Sequence, residues 1–226
     1  MRIDIIAVLP HFFDSVFDNA IYRRAISANL IKVQVHDLRD YGLGTYKQID
    51  DYAYGGSAGM VIMPEPLANC IENLTVQYSY DDIIYLSPDG EVFDQQIANK
   101  LSLKTNIMLV CGHYKGIDQR IRDKYITREI SIGDYVLSGG EIAATVLTDA
   151  ILRLIPGVMG DESSALSDSH QDGLLAPPVY TRPADFRGMK VPDILLSGND
   201  KKIEEWKHEE AINRTKMRRP DLWNKV

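Results

Sequence analysis

The chain has 226 residues, of which 45% are hydrophobic and 25% are charged, a composition typical of a folded protein with a substantial core. No apolar run approaches the roughly 20 residues that a membrane-spanning helix needs, which argues against a membrane protein. The net charge of −7 argues mildly against a nucleic-acid partner, because phosphate contacts require local positive charge.

The first third of the chain alternates between predicted strands and helices. Arg2–Leu9 predicts a strand, and apolar residues at positions 12, 13, 16 and 17 then recur at helical spacing. A second strand is predicted at Ile31–His36. A glycine-rich segment, Tyr54–Met60, precedes a predicted helix over Glu65–Glu72.

Three further apolar runs each end in a segment rich in Gly, Ser or Pro. They are Ile83–Leu86 before Ser87–Gly90, Ile107–Val110 before Cys111–Tyr114, and Glu129–Leu137 before Ser138–Gly140. Continuous apolar strands that alternate with helices are typical of parallel sheets covered on both faces. Ligands of such sheets bind beyond the carboxyl ends of the strands, so the three loops predict the walls of a pocket in an α/β fold.

The last third of the chain changes character. A helix is predicted over Glu141–Ile155, and Gly160–Gly173 has no periodicity and predicts a linker, with a domain boundary near residues 160–172. Proline-rich, irregular chain follows over Ala176–Pro192, and a last helix is capped by Asn199 or Asp200 and runs to about residue 217. Residues 201–226 hold eight Lys or Arg against five Asp or Glu. This basic tail indicates either RNA docking at one end or the solvated face of an amphipathic helix.

The sequence lacks several familiar cofactor motifs. GxGxxG, GxxxxGK[ST] and HExxH are absent, and the five histidines are scattered singly, so we predict no metal site. A nucleotide-type ligand would then be held through the backbone of glycine loops, which permit close approach. Cys70 and Cys111 lie in apolar contexts without CxxC spacing, which predicts buried free thiols and a reducing cytoplasm.

Two charged residues near the predicted linker suit one particular chemistry. Both have a purely structural interpretation. Arg153 follows Asp149 by four residues, a spacing that suits an exposed ion pair on a helix, and Asp168 suits a solvated turn. Together they also suit methylation of a lactam nitrogen such as guanine N1. A carboxylate can accept the N1 proton, and a guanidinium can stabilise the negative charge that grows on the neighbouring carbonyl oxygen.

Several longer motifs carry a family resemblance over about residues 1–223. They are DDYAYGGSAGM at 50–60, IIYLSPDG at 83–90, LVCGHYKGID at 109–118, SIGDYVLSGGE at 131–141, RLIPGV at 153–158, LLAPPVYTRP at 174–183 and VPDILLSGN at 191–199. With them the chain resembles the bacterial tRNA (guanine-N1)-methyltransferases, the TrmD family of the SPOUT superfamily. The resemblance implies a parallel sheet with a deep trefoil knot over residues 1–160, a flexible linker over 161–172 and a small helical tRNA-binding domain over 173–226.

The resemblance also implies a cytoplasmic enzyme that makes 1-methylguanosine immediately 3′ of the anticodon, at position 37, from S-adenosyl-L-methionine. Asp168 is then the general base and Arg153 stabilises the guanine carbonyl, in a homodimer whose active sites are shared between subunits. Asp51, Arg214 and Arg218 map to positions near the tRNA. The implied cofactor contacts are Tyr85, Leu86, Ser87, Pro88, Gly90, Gly112, Tyr114, Ser131, Ile132, Gly133, Asp134, Tyr135, Val136, Leu137, Gly139 and Gly140.

Some positions depart from the family pattern. Lys115 stands where the family usually has Glu, and Ala176 where it usually has Asp; both carboxylates are associated with magnesium dependence, so we expect a weaker magnesium requirement. His113 and Ala143 also differ, replacing Arg and Pro.

The alternatives to this function are a SPOUT methyltransferase for another RNA position, an RNA-binding module that lost turnover, and an oxidoreductase. An oxidoreductase is disfavoured because the sequence has no glycine-rich nucleotide-binding fingerprint. Arg153 and Asp168 together disfavour the other two alternatives.

Overall fold

A computed structural model of the chain describes residues 1–56, 58–159, 168–170 and 172–224. The chain divides into two compact units, Met1–Gly160 and Asp161–Val226. Most of the predicted linker, residues 161–167 and 171, lies outside the described residues. None of the helices in the described part of the chain is both long enough and apolar enough to span a membrane.

The first unit is built on a parallel sheet. Its strands are β1 (Arg2–Ala7), β2 (Lys32–Asp37), β3 (Asp50–Tyr52), β4 (Met60–Ile62), β5 (Asp82–Val92), β6 (Asn106–Cys111) and β7 (Arg128–Ser131). Five of them form the central sheet in the order β2-β1-β6-β5-β7, with every neighbouring pair parallel. Strands β3 and β4 form a separate antiparallel hairpin. The predicted α/β class with a central parallel sheet is confirmed.

Helices cover both faces of this sheet. They are α1 (Asp14–Phe17), α2 (Ala20–Ser27), α3 (Pro64–Gln77), α4 (Gln95–Ser102), α5 (Gln119–Tyr125) and α6 (Glu141–Leu152), with 3-10 turns at Pro10–Phe13 and Leu38–Tyr41. Alternate strand residues point to opposite faces: Ile3 and Ile5 pack in the cluster with α4 and α6, whereas Ile6 packs with α3 and α5. Cys70 and Cys111 are buried and free, as predicted.

Several predicted boundaries are wrong, for local reasons. Strand β7 ends at Ser131 instead of Leu137, because the Ser131 hydroxyl accepts a hydrogen bond from the Gly133 N–H at 3.2 Å and Gly133 turns the chain at φ +144°. Helix α6 ends at Leu152 instead of Ile155, since Pro156 disfavours helical geometry at the residue before it. The stretch predicted as one helix over positions 12–17 is a 3-10 turn followed by the short helix α1.

The second unit carries the long C-terminal helix, Asp200–Arg218, followed by the short helix Pro220–Trp223. The Asn199 side chain accepts a hydrogen bond from the Lys202 N–H at 3.2 Å, which identifies Asn199 as the N-cap. The segment predicted to be irregular contains a small hairpin with strands Asp185–Phe186 and Met189–Lys190, and a 3-10 turn follows at Asp193–Leu196.

A buried carboxylate, Asp4 on β1, organises a polar cluster inside the first unit. Its oxygens accept hydrogen bonds from Arg2 at 2.5 and 2.8 Å and from Tyr80 at 2.8 Å, and one lies 2.7 Å from the His36 ring nitrogen. Burial alone would raise the pKa of the Asp4 carboxyl, but these hydrogen bonds outweigh it and hold that pKa below its ordinary value. Arg2 in turn stacks on Tyr78, 3.7 Å from the ring centroid.

We expect Asp4→Ala to lower the free energy of unfolding by about 3–5 kcal/mol, because it leaves buried donors without their acceptor. The pKa of Asp4 is lower in the folded than in the unfolded chain. The ionised carboxylate therefore stabilises the fold at any pH above the pKa of the unfolded chain, and this stabilisation is lost as the pH falls through the pKa of the folded chain. Urea unfolding at neutral pH measures the change. The matched control is Asp18→Ala, which removes an exposed ion pair with Arg23 and should cost about 0–1 kcal/mol. Equal losses in both variants would contradict the role given to the Asp4 cluster.

Candidate cofactor pocket and active site

A cavity of about 300 Å³ lies at the carboxyl ends of β5, β6 and β7. Its walls are the three glycine-bearing segments that the sequence predicted, two of which are loops that follow β6 and β7. An isolated antiparallel bridge between His113 and Gly139 joins the second loop to the third. The Gly140 N–H also donates to the Gly112 carbonyl at 2.7 Å, so two walls are fastened together through their backbones.

The first wall is a bulge within β5 rather than a loop after it. Leu86 and Glu91 both face Ile130 of β7, so residues 87–90 leave the ladder between them. Ser87 is buried, and its hydroxyl accepts from the Asp89 N–H at 3.2 Å. A Cβ on Gly90 would lie 2.5 Å from the Glu129 carbonyl carbon, so only glycine lets the bulge close against β7.

Glycines in the other two walls leave the space that defines the cavity. A Cβ on Gly112 would lie 2.9 Å from the Tyr85 ring, and one on Gly140 would lie 2.7 Å from the Cys111 Cα. A Cβ on Gly139 would meet Glu141 and would lie 2.6 Å from the His113 Nδ1. Side chains would fill this cradle, so the walls fit a ligand that is held by backbone groups at close approach.

Two buried titratable groups lie on the strands that lead to the pocket, Cys111 at the end of β6 and Tyr85 on β5. Cys111 is fully buried, and burial together with the nearby Glu141 raises the pKa of its thiol well above the ordinary value. Burial also raises the pKa of Tyr85. Both groups are therefore neutral at physiological pH and serve as packing surface rather than as bases or nucleophiles.

Of the sixteen residues that the resemblance assigns to the cofactor, all except Gly90 and Asp134 line the cavity. Asp134 is exposed, and Gly90 contacts the β7 backbone instead. The lining also includes residues that the sequence did not single out as cofactor contacts. These are Asp89, His113, Lys115, Gly116, Arg122, Ile130, Ser138 and Ala143. Arg122 on α5 and Ala143 on α6 lie outside the three wall segments, and no sequence motif pointed to Arg122.

The predicted catalytic residues belong to different units. Arg153 is half-buried at the C-cap of α6 in the first unit. Asp168 is exposed in the second unit, directly after the residues that are not described. The described residues that line the cavity belong to the first unit, and Asp168 is not among them.

The residues predicted to approach tRNA are spread along the chain. Asp51 is exposed on the hairpin strand β3, where its carboxylate accepts from the Tyr52 N–H at 2.7 Å. Arg214 and Arg218 lie on the C-terminal helix, Arg218 exposed and Arg214 half-buried. Among the described residues, the buried Arg214 Nε has no hydrogen-bond partner. Within the same residues, no three His, Cys, Asp or Glu side chains are grouped so that they could hold a metal ion.

Comparison with known proteins matches the chain along its full length. A sequence model of the family described as tRNA (Guanine-1)-methyltransferase TrmD matches residues 1–225. The tRNA (guanine-N(1)-)-methyltransferase of Cytophaga hutchinsonii is 61% identical over 225 residues, covering 100% of this chain and 96% of that protein. The protein of the same name from Christiangramia forsetii is 59% identical and covers 98% of each chain. The one from Chlorobium chlorochromatii is 58% identical over 98% of this chain and 96% of its own.

Proposed function

The chain belongs to the tRNA (guanine-1)-methyltransferase TrmD family, and on this basis we propose that it methylates N1 of a guanosine in tRNA, with S-adenosyl-L-methionine as the methyl donor. We further propose that the guanosine is the one immediately 3′ of the anticodon, at position 37, that the product is 1-methylguanosine and that the reaction takes place in the cytoplasm. The observation that carries the proposal is the glycine-walled cavity at the carboxyl ends of β5, β6 and β7.

The cavity suits the donor because glycines in its lining leave backbone polar groups accessible at close range. When bound, S-adenosyl-L-methionine supplies an electrophilic methyl group on a sulfonium. The glycine walls admit an adenosine-sized group, and the backbone N–H and C=O groups of the three loops can pair with its polar edges. Tyr85, Leu86, Leu137 and Ile132 offer apolar surface. Backbone recognition of this kind explains why no dinucleotide-binding fingerprint is needed.

In the proposed reaction, Asp168 accepts the N1 proton of the target guanine. An ordinary aspartate has a pKa near 3.9 and is a weak base, so its effect depends on accurate positioning against the N1–H. Arg153 stabilises the negative charge that grows on the guanine carbonyl oxygen. Asp51, Arg214 and Arg218 are proposed to contact the tRNA.

We also infer from the family that the sheet is tied in a deep trefoil knot, and that two subunits share each active site. The close packing of Gly140 against the Cys111 and Gly112 backbones supports a tight crossing of chain at this point. An apolar surface on the first unit supports a homodimer, since Leu9, Phe12, Ile142 and Val146 are all at least 40% exposed. The Leu9 N–H is bound to Glu141 at 3.3 Å, which brings Leu9 beside Ile142.

The test of function is methyl transfer from S-adenosyl-L-methionine to unmodified tRNA, with the modified nucleoside identified by mass spectrometry. Two transcripts are compared, one with G and one with A immediately 3′ of the anticodon. We expect 1-methylguanosine on the G transcript alone. Product at another position would point to a different RNA site, and donor binding without any product would point to an RNA-binding module that lost turnover.

We expect methyl transfer to persist in the presence of EDTA, at a rate close to that with added magnesium. Lys115 and Ala176 replace carboxylates that the family pattern associates with magnesium dependence, and Lys115 brings a positive charge to the cavity lining. Rates are measured on tRNA that was folded with magnesium beforehand and then exchanged into EDTA, so that RNA folding is not the variable. Activity that disappears in EDTA and returns only with magnesium would contradict this expectation.

A further inference from the structure

Arg122 is a cavity-lining residue that the proposed mechanism does not use. It lies on α5, and its guanidinium forms a paired contact with Glu129 of β7, with Nε 2.9 Å from Oε1 and Nη2 2.6 Å from Oε2. The same Nη2 donates to Asp89 in the β5 bulge at 2.8 Å. One side chain therefore joins a helix, a strand and the first wall of the pocket.

The arrangement bears directly on the shape of the bulge. Residues 87–90 have left the β5–β7 ladder, so the strands themselves do not hold this segment in place. The hydrogen bond from Arg122 to Asp89 holds this segment through a side chain, where the backbone hydrogen bonds between β5 and β7 are interrupted. The guanidinium also lies 5.3 Å from the centroid of the Tyr85 ring, and that ring packs against Gly112 in the second wall.

The cluster places one guanidinium between two carboxylates. Arg122 and Glu129 have side chains only 21% and 27% exposed, whereas Asp89 is 62% exposed. The hydrogen bonds to Glu129 and Asp89 raise the pKa of Arg122 above its ordinary value. A permanently charged, planar guanidinium can hold two carboxylates in fixed directions, which a lysine ammonium does less well.

We propose that Arg122 is a positioning residue for donor binding, which acts through Asp89 to hold the Ser87–Gly90 bulge in the shape of the first wall. This inference rests on the proposed function, because it takes the cavity to be the S-adenosyl-L-methionine site. It assigns no chemical step to Arg122. The alternative role is purely structural, the fastening of α5 to β7 through Glu129.

The test compares Arg122→Ala with Arg128→Ala by calorimetry, using S-adenosyl-L-homocysteine as the probe. Arg128 of β7 pairs with Glu91, which lies on β5 directly after the bulge. Arg128 does not line the cavity. We expect Arg122→Ala to weaken binding about tenfold, the equivalent of about 1.4 kcal/mol, and Arg128→Ala to leave it unchanged. Both variants should lower Tm. The KM for the donor should rise in Arg122→Ala by a similar factor, with kcat much less affected.

A double-variant comparison asks whether Arg122 acts through Asp89. Asp89→Ala should weaken binding by about the same factor as Arg122→Ala, since either change removes the contact between Arg122 and the bulge. The double variant should then bind no worse than Arg122→Ala alone. Wild-type affinity in Arg122→Ala, at a lowered Tm, would overturn the inference and leave the proposed function standing. A wild-type protein that does not bind the probe would instead count against the proposed function.

Discussion

Asp168→Asn should lower the rate of methyl transfer by about a hundred- to ten-thousandfold, the range by which positioned general bases contribute. Asparagine keeps the shape of the side chain but does not accept the N1 proton at neutral pH. Affinity for S-adenosyl-L-homocysteine should stay at the wild-type value, because Asp168 is not among the described residues that line the cavity. Single-turnover rates on a G37 transcript measure the first effect, and calorimetry measures the second.

The control for this variant is Asp172→Asn, a change of the same kind at another exposed aspartate of the second unit. The Asp172 carboxylate accepts a hydrogen bond from the Leu174 N–H at 3.0 Å, and an asparagine oxygen can take its place. We expect little change in rate. A wild-type rate in Asp168→Asn would rule out the role of Asp168 as general base.

The same variant tests whether active sites are shared between subunits. Arg153→Ala and Asp168→Asn are each expected to lose most of the activity, and in a shared site the two residues come from different subunits. A mixed dimer of the two variants then has one site with both residues intact. Coexpression should therefore restore part of the activity. If each site lay within one subunit, no mixture would recover activity.

Gly140→Ala should weaken binding of S-adenosyl-L-homocysteine by about ten- to a hundredfold. The added methyl would lie 2.7 Å from the Cys111 Cα and 2.8 Å from the Gly112 nitrogen. These are backbone atoms, so the third wall of the pocket has to move away from the second. Overpacking of this kind costs about 1–3 kcal/mol, and 1.4 kcal/mol corresponds to about a factor of ten in affinity. Calorimetry measures the change.

Gly42→Ala serves as the matched control for that variant. Its added methyl would also meet backbone, namely the carbonyl group of Lys47 and, at 2.8 Å, the Lys47 Cα. Gly42 does not line the cavity. Both variants should lower Tm, and only Gly140→Ala should lose affinity. Unchanged binding in Gly140→Ala would show that the donor site lies elsewhere in the chain.

The sequence predicted the parts of the fold that have a strong local signal. The continuous apolar runs around Ile84 and Leu109 predicted two central strands, β5 and β6, because such runs are typical of strands buried on both faces. The run around Ile130 belongs to β7, at the edge of the sheet. Helices α2, α4 and α5 were missed. They are 7 or 8 residues long, and α4 and α5 are mostly polar. Helices this short depend on packing for their stability and show no long periodic pattern.

The pocket walls were predictable, but the contacts between them were not. Glycines after consecutive parallel strands indicate a pocket edge from sequence alone. The bulge at Ser87–Gly90 depends on pairing with β7, and Arg122 meets Asp89 and Glu129 only after the sheet has formed. These are non-local relations between residues that are distant in sequence. Asp4 is another such case, because an aspartate within an apolar strand gave no indication of which donors would surround it.

The strand order has a consequence for how the protein is made. Strand β1 lies between β2 and β6, and β6 leaves the ribosome only after most of the first unit has been translated. At roughly 5–20 residues per second, the N-terminal strand waits several seconds with one edge unpaired, and its apolar side chains are exposed during that time. The central sheet therefore cannot be completed until β6 has been translated. A codon-usage change that slows translation before residue 106 should lengthen this interval and raise the aggregated fraction.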